Sequence, residues 1–254
     1  MRDSVAIVTG AGSGIGAALV RQLAVRGVNM VLVGRRLERL AASAKVVRDE
    51  GSRSVVVQAD LVDVGAPAHI VSQTIAAFGR IDVVVNNAAA IANKPFGQVT
   101  VDDFERTVAT NTRAAFFLIQ SALPALLEAP APAVVNVSSA AASMSRATQS
   151  VYGLSKAALE HMTRSLAMEL APQVRVNAVA PGPTETEIHA IYAGGEAAAR
   201  RRDLLCAAVP AGRLGMAEEV ARWIVALVEP AAAWVTGTVI HIDGGRVLGA
   251  PNAV

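Results

Sequence analysis

The sequence predicts an α/β fold: a doubly wound, seven-stranded parallel sheet in one domain spanning residues 1–254. Three observations carry this. Seven short runs rich in valine and isoleucine recur along the chain. They are mostly continuous instead of alternating, as expected of strands covered by helices on both faces. Stretches with helical apolar spacing separate them, so strand and helix alternate and the strands lie parallel.

The first strand is Val5–Thr9, and the helix Ala17–Arg26 follows with Leu19, Val20 and Leu23 on one face and Gly27 as its stop. Met30–Val33 is the second strand, and the helix Arg36–Glu50 stops at Gly51. Ser54–Ala59 is the third, and the helix Pro67–Phe78 stops at Gly79. Asp82–Val85 is the fourth, followed by helices at Val101–Ala109 and Thr112–Leu127. Ala133–Val137 precedes the long helix Tyr152–Ala171. Val174–Val179, a helix at Ala217–Val228 and Thr238–Ile242 complete the sheet. One segment breaks the alternation, the helical, alanine-rich Glu187–Pro210 with Gly194-Gly195 inside it. Inserts after a strand's carboxyl end often become lids, which is the expectation here.

Composition excludes several classes. Hydrophobic residues make up 53% and charged residues 17%, with 20 glycines and 11 prolines, which rules out collagen and low-complexity disorder. No run of 18 apolar residues occurs, so no membrane span is expected. Met1-Arg2-Asp3-Ser4 leads straight into the first strand, and no signal peptide is expected. The formal charge is +2, and Arg200-Arg201-Arg202 is too short for a nucleic-acid footprint. The lone Cys206, read as a small buried hydrophobe, fits the reducing cytoplasm as location. His69, His161, His189 and His241 lack metal-ligand spacing, so no metal is expected. No nucleophile elbow points to a hydrolase.

A nucleotide site is legible at the first strand–helix turn. Gly10, Gly14 and Gly16, with Ser13 and Ile15 between, allow a tight turn and a close approach of backbone to a pyrophosphate at the helix start. An NAD enzyme generally carries an acid at the end of strand two to hold the ribose 2′-hydroxyl. This chain has Arg35 and Arg36, which match a 2′-phosphate, so NADP(H) is preferred and NAD(H) is the alternative. Asp60-Leu61, past strand three, falls where the adenine edge would lie.

Catalytic candidates cluster later. Tyr152 and Lys156 are four residues apart and share a helix face. A nearby cation favours the phenolate, so a lowered Tyr152 pKa is expected, suited to proton transfer. Ser139 ends strand five, where open α/β sheets bind ligands, and its hydroxyl can hold a carbonyl oxygen. Ser138 is the weaker candidate.

With these residues in order, the chain resembles the short-chain dehydrogenase/reductase family, and in particular its 3-oxoacyl-carrier-protein reductase-like members, from about Val5 to Gly249. The glycine motif Thr9 to Gly16, the strand-four motif Asn86-Asn87-Ala88-Ala89, and Asn111, Ser139, Tyr152 and Lys156 carry the likeness. So do Pro181-Gly182, with Thr184 and Thr186 after them, and Gly212-Arg213-Leu214-Gly215, Val235-Thr236-Gly237 and Asp243-Gly244-Gly245. Ala89 departs from the family's usual glycine, and Ser13 is neutral where strongly NADP-committed members often carry a basic residue. The resemblance implies a Rossmann-like domain and ketone–alcohol interconversion. Tyr152 would be the general acid/base, Ser139 the oxygen-holding hydroxyl, and Lys156 would bind the nicotinamide ribose. Asn111 would anchor a proton-relay water, and Thr184 and Thr186 would fix the nicotinamide amide. It also implies a homodimer or homotetramer built on Thr112–Leu127 and Tyr152–Ala171. The walls Ala90–Phe96, Ala140–Gln149 and Glu187–Pro210 read as small or aliphatic, with Met144, Ile191 and Tyr192 bulky. A fairly apolar carbonyl or alcohol is therefore expected: a cyclic ketone, a β-ketoacyl group or a polyketide-like carbonyl. The rivals are an NAD-dependent secondary-alcohol dehydrogenase and a catalytically silent nucleotide-binding regulator.

Overall fold

Strand β1 (Val5–Thr9) lies inside the sheet, each of its residues 1% exposed or less. A computed structural model of the chain describes residues 1–185 and 195–249. The seven strands β1, β2 (Asn29–Gly34), β3 (Ser54–Gln58), β4 (Val83–Asn86), β5 (Ala133–Val137), β6 (Arg175–Pro181) and β9 (Val239–Ile242) are all parallel. Their spatial order is β3-β2-β1-β4-β5-β6-β9. The order reverses at β1, between β2 and β4, so a crevice opens at the carboxyl ends there.

Two apolar layers explain why the strands read as unbroken valine and isoleucine. Ala6, Val8, Met30, Leu32, Val83 and Val85 face a core shared with helices α1 (Gly14–Ala24), α2 (Leu37–Asp49) and α8 (Ala217–Val228). Ile7, Val31, Val33 and Val84 face the opposite core, with α3 (Ala66–Phe78), α5 (Ala114–Leu127) and α6 (Ser150–Leu170). In the inner strands both faces are buried, so nearly every position is apolar. The exceptions are hydrogen-bonded. Asp82, 4% exposed, accepts from Val5 N at 2.8 Å and from Arg80 Nε at 2.9 Å, tying β1 to β4. Such a charge-assisted pair contributes about 1.5–3 kcal/mol. Asn86 Nδ2 donates to Asn136 Oδ1, and Asn136 Nδ2 to Thr163 Oγ1, linking β4, β5 and α6 through the core.

Several boundaries differ from expectation. Helix α1 begins at Gly14, not at residue 17, because the glycine loop itself makes the first turn. Helix α4 (Val101–Val108), started by a Thr100–Asp103 capping box, continues into a π-helical turn, Ala109–Arg113, before α5. A small parallel pair, β7 (Thr184–Glu185) with β8 (Gly215–Met216), was not expected. Within the 187–210 insert, α7 (Gly195–Ala207) is helical, and the earlier part, with His189, Ile191 and Tyr192, lies outside the described residues. Cys206 is half-buried, not buried, because α7 packs at the surface. Among the described residues no helix is long and apolar enough to cross a membrane, and no cluster of metal-ligating side chains occurs.

Candidate active site

A cleft of about 610 Å³ opens at the carboxyl ends of the strands, at the reversal of strand order. Its first wall is the loop from β1 to α1. Gly10 and Gly14 have φ of +66° and +52°, a region that glycine enters without strain. Gly16 turns away from the cleft and allows close packing beneath it: a Cβ there would lie 2.1 Å from Gly10 O. Ser13, the N-cap of α1, makes no side-chain cap bond, and the first turn carries no acid. The amide donors of that turn are therefore left for an anion, as a pyrophosphate site requires.

Thr9 and Asn87 hold the loop in place. Thr9 Oγ1 accepts from Asn87 N at 2.9 Å and Ala88 N at 3.0 Å, and Asn87 Nδ2 donates to Thr9 O at 2.9 Å. Asn87, Ala88 and Ala89 line the cleft, whereas Asn86 does not, because its amide is committed to Asn136 in the core. Ala89 has no positive φ, so alanine fits without backbone strain where the family usually has glycine.

Arginines crowd the end of β2. Arg35, Arg36 and Arg39 all line the cleft, with Asp60 and Leu61 beside them. Arg36 Nη2 donates to Ser13 Oγ at 3.1 Å, joining the two cofactor walls. Arg35 Nη1 lies 4.0 Å from Asp60 Oδ2, but both side chains are solvated, so this pairing is weak. Sequence reasoning missed Arg39. Its signal was helical spacing: it lies one turn after Arg35 and Arg36.

Lys156 is the largest side chain buried to below 2%. Its Nζ donates to Val137 O at 2.7 Å, the only hydrogen-bond acceptor it has among the described residues. An ammonium has three donors, so two remain for hydroxyls brought by a ligand. Burial lowers its pKa to about 8. Its Nζ lies 5.8 Å from the centre of the Tyr152 ring.

Tyr152 behaves differently from expectation. Burial raises its pKa, while Ser139 acts in the opposite direction. Lys156 contributes no lowering here, its ammonium being turned to Val137 O. Ser139 ends β5 in an extended conformation, and its Oγ accepts from Ala141 N at 3.2 Å. Ser138 is turned inward, donating to Glu160 Oε1 at 2.8 Å.

Asn111 does not line the cleft. It sits in the π turn, 2% exposed, its Oδ1 accepting from Ala90 N at 2.8 Å. Its Nδ2 donates to Ala90 O and to Ser155 Oγ, each at 2.9 Å. The side chain thus ties the Ala88–Ala90 strip to α6.

Pro181, Gly182 and Thr184 line the cleft, and Thr186 lies outside the described residues. Gly182 cannot carry a side chain, since a Cβ would lie 2.6 Å from Asp243 Cα. The expected apolar walls need correction. Arg106, Arg146, Gln149 and Arg246 line the cleft beside Ile91, Ala140, Ala141 and Met144. Arg146 and Gln149 stood within the residues assigned to the wall, and Arg246 directly follows Asp243-Gly244-Gly245.

Comparisons with known proteins find relatives along nearly the whole chain. A family model described as Enoyl-(Acyl carrier protein) reductase matches residues 10–246. A cis-4-hydroxycyclohexanecarboxylate dehydrogenase of Sinomonas cyclohexanicum is 37% identical over 245 residues, covering 96% of each chain. A blue fluorescent protein from a metagenomic library, solved in complex with NADPH, has a TM-score of 0.89 and 35% identity, covering 96% of this chain and 98% of that one. Levodione reductase has a TM-score of 0.91 and 30% identity, covering 98% and 99%. A match running through nearly the whole chain, with the motifs in order around one cleft, shows that the chain belongs to the short-chain dehydrogenase/reductase family of oxidoreductases, which use nicotinamide cofactors.

Proposed function

We propose that the chain is an NADP(H)-dependent ketoreductase that interconverts a ring ketone and its secondary alcohol. The observation that carries this reading is the meeting of Tyr152, Ser139 and the buried Lys156 in one cleft whose other wall holds Arg35, Arg36 and Arg39. When bound, the nicotinamide supplies hydride to the carbonyl carbon. Ser139 Oγ donates a hydrogen bond to the carbonyl oxygen, and Tyr152 gives its phenolic proton to that oxygen as negative charge builds there. Lys156 uses its two remaining donors on ribose hydroxyls. Thr184 and Thr186 hold the nicotinamide amide, and Asn111 positions the Ala88–Ala90 strip against α6.

The ring ketone is supported by the relative named for a hydroxycyclohexane and by the small Ala140 and Ala141 walls. Half-exposed apolar residues on α5 and α6, such as Phe117 and Leu154, support a homo-oligomer packed on those helices.

Cofactor choice rests on Arg35, Arg36 and Arg39, with no acid at the end of β2. Each charge-assisted arginine–phosphate bond is worth about 1.5–3 kcal/mol, and 1.4 kcal/mol is tenfold in affinity. The double variant Arg35→Ala/Arg36→Ala should therefore lower the NADPH-to-NADH ratio of kcat/KM by about tenfold or more. Steady-state rates with each cofactor check this. A wild-type preference for NADH would overturn the cofactor assignment.

A further inference from the structure

Arginines lie not only beside the glycine loop. Arg146 stands on the segment joining the Ser139 turn to α6, and Arg246 on the turn after β9, and both line the cleft. Gly182 packs against Asp243, with no room for a Cβ, so the chain carrying Arg246 is held against the Pro181-Gly182 wall.

One feature on each of the two arginine-bearing segments points to a ligand. Arg246 Nε is buried without a hydrogen-bond partner, and no other side-chain nitrogen or oxygen among the described residues is in that state. An unpaired buried donor costs about 1–3 kcal/mol, more when charged, so its persistence calls for an acceptor that arrives with a ligand. Thr148, a β-branched residue, is held at φ +68°. Its Oγ1 donates to Asn93 Oδ1 at 2.7 Å, and its carbonyl accepts from Lys94 N at 3.0 Å. Backbone in that region is strained, and strain of this kind collects at ligand clamps. Here it lies on the segment that delivers Met144, Arg146 and Gln149 to the cleft.

We propose that the substrate carries a carboxylate in addition to its carbonyl, and that Arg246 receives it, with Arg146 adding positive potential from the α6 side. This rests on the ketoreductase reading above. A guanidinium offers a planar fork of donors that a carboxylate fills with two parallel bonds, which satisfies the buried Nε. Ala140, Ala141 and Met144 leave an apolar stretch suited to the carbon skeleton between the two groups. A neutral ester or thioester offers a carbonyl oxygen as acceptor but no negative charge to match the guanidinium.

The test compares 4-oxocyclohexanecarboxylate with its methyl ester in NADPH oxidation, using wild type, Arg246→Met and Arg246→Lys. Wild type should favour the acid by about tenfold or more in kcat/KM, the factor given by 1.4 kcal/mol. The ratio should fall close to one in Arg246→Met and be partly kept in Arg246→Lys. The acid-to-ester ratio is the readout, so a general loss of rate does not mimic the effect. Calorimetry with cyclohexanecarboxylate on the NADP-loaded protein should show binding to wild type and none to Arg246→Met. Equal use of acid and ester would overturn the carboxylate site and leave the ketoreductase reading standing. Binding of cyclohexanecarboxylate with no reduction of either ketone would do the reverse. If Arg246→Met weakens NADPH binding and lowers both substrates equally, the guanidinium serves the cofactor and the proposal fails.

Discussion

Tyr152→Phe should lower kcat for NADPH-driven ketone reduction by about 10²- to 10⁴-fold, the usual contribution of a positioned general acid. The ring remains to fill the same space, so folding and NADPH affinity should change little. Only the hydroxyl is lost, leaving Ser139 Oγ with Ala141 N as its partner in the turn. Steady-state rates together with NADPH fluorescence titration separate the two effects. A variant within tenfold of wild type in kcat would remove the phenol from proton transfer. The size of the effect follows from the site's geometry. Tyr152 lines the cleft with its phenol beside the Ser139 hydroxyl, so both can reach one carbonyl oxygen.

Lys156→Met should stabilise the cofactor-free protein while it damages turnover. Lys156 is 1% exposed, and burial depresses its pKa from 10.5 to about 8. Below pH 8 the folded protein carries this charge at a desolvation cost that the unfolded chain does not bear. Between about pH 8 and 10.5 the folded state has released the proton that the unfolded state still binds, so wild-type stability rises with pH in that window. At 1.36 kcal/mol per pKa unit the cost near neutral pH is on the order of 3 kcal/mol, reduced by the bond to Val137 O. Methionine fills the volume without the charge. Urea unfolding at pH 7 should therefore find the variant more stable, with the gap closing by pH 10.5. Turnover should fall about 10²-fold or more, the scale of losing one preorganised donor. Equal stability at both pH values would show that the ammonium is not under desolvation strain.

The sheet was readable because its strands are bounded by turn residues and buried on both faces. Val5–Thr9, Ala133–Val137 and Ala217–Val228 have the predicted limits. The glycine loop and the Tyr152–Lys156 helix face were readable because each depends on local spacing. What escaped depends on contacts between distant segments. The π turn at Ala109–Arg113 leaves no local signal and is matched by the Asn111–Ala90 bonds, which reach across the fold. The two-residue β7–β8 pair is too short to carry a pattern. Asn86 belongs to a motif that points to the cofactor, yet Asn136, on the next strand of the chain, claims its amide. The Tyr152 pKa was misjudged because spacing reveals the neighbouring cation but not the desolvation. Arg246 comes from the far end of the chain, and only the folded sheet brings it to the cleft.

The central claim is that this cleft reduces a carbonyl by hydride from a nicotinamide and a proton from Tyr152. Incubation with 4-oxocyclohexanecarboxylate and NADPH deuterated at C4, followed by mass spectrometry of the alcohol, tests it most directly. The account predicts one deuterium on the carbinol carbon with wild type and almost none with Tyr152→Phe in the same time. Alcohol formed without deuterium from either C4 position, or equal labelling by the two proteins, would contradict it.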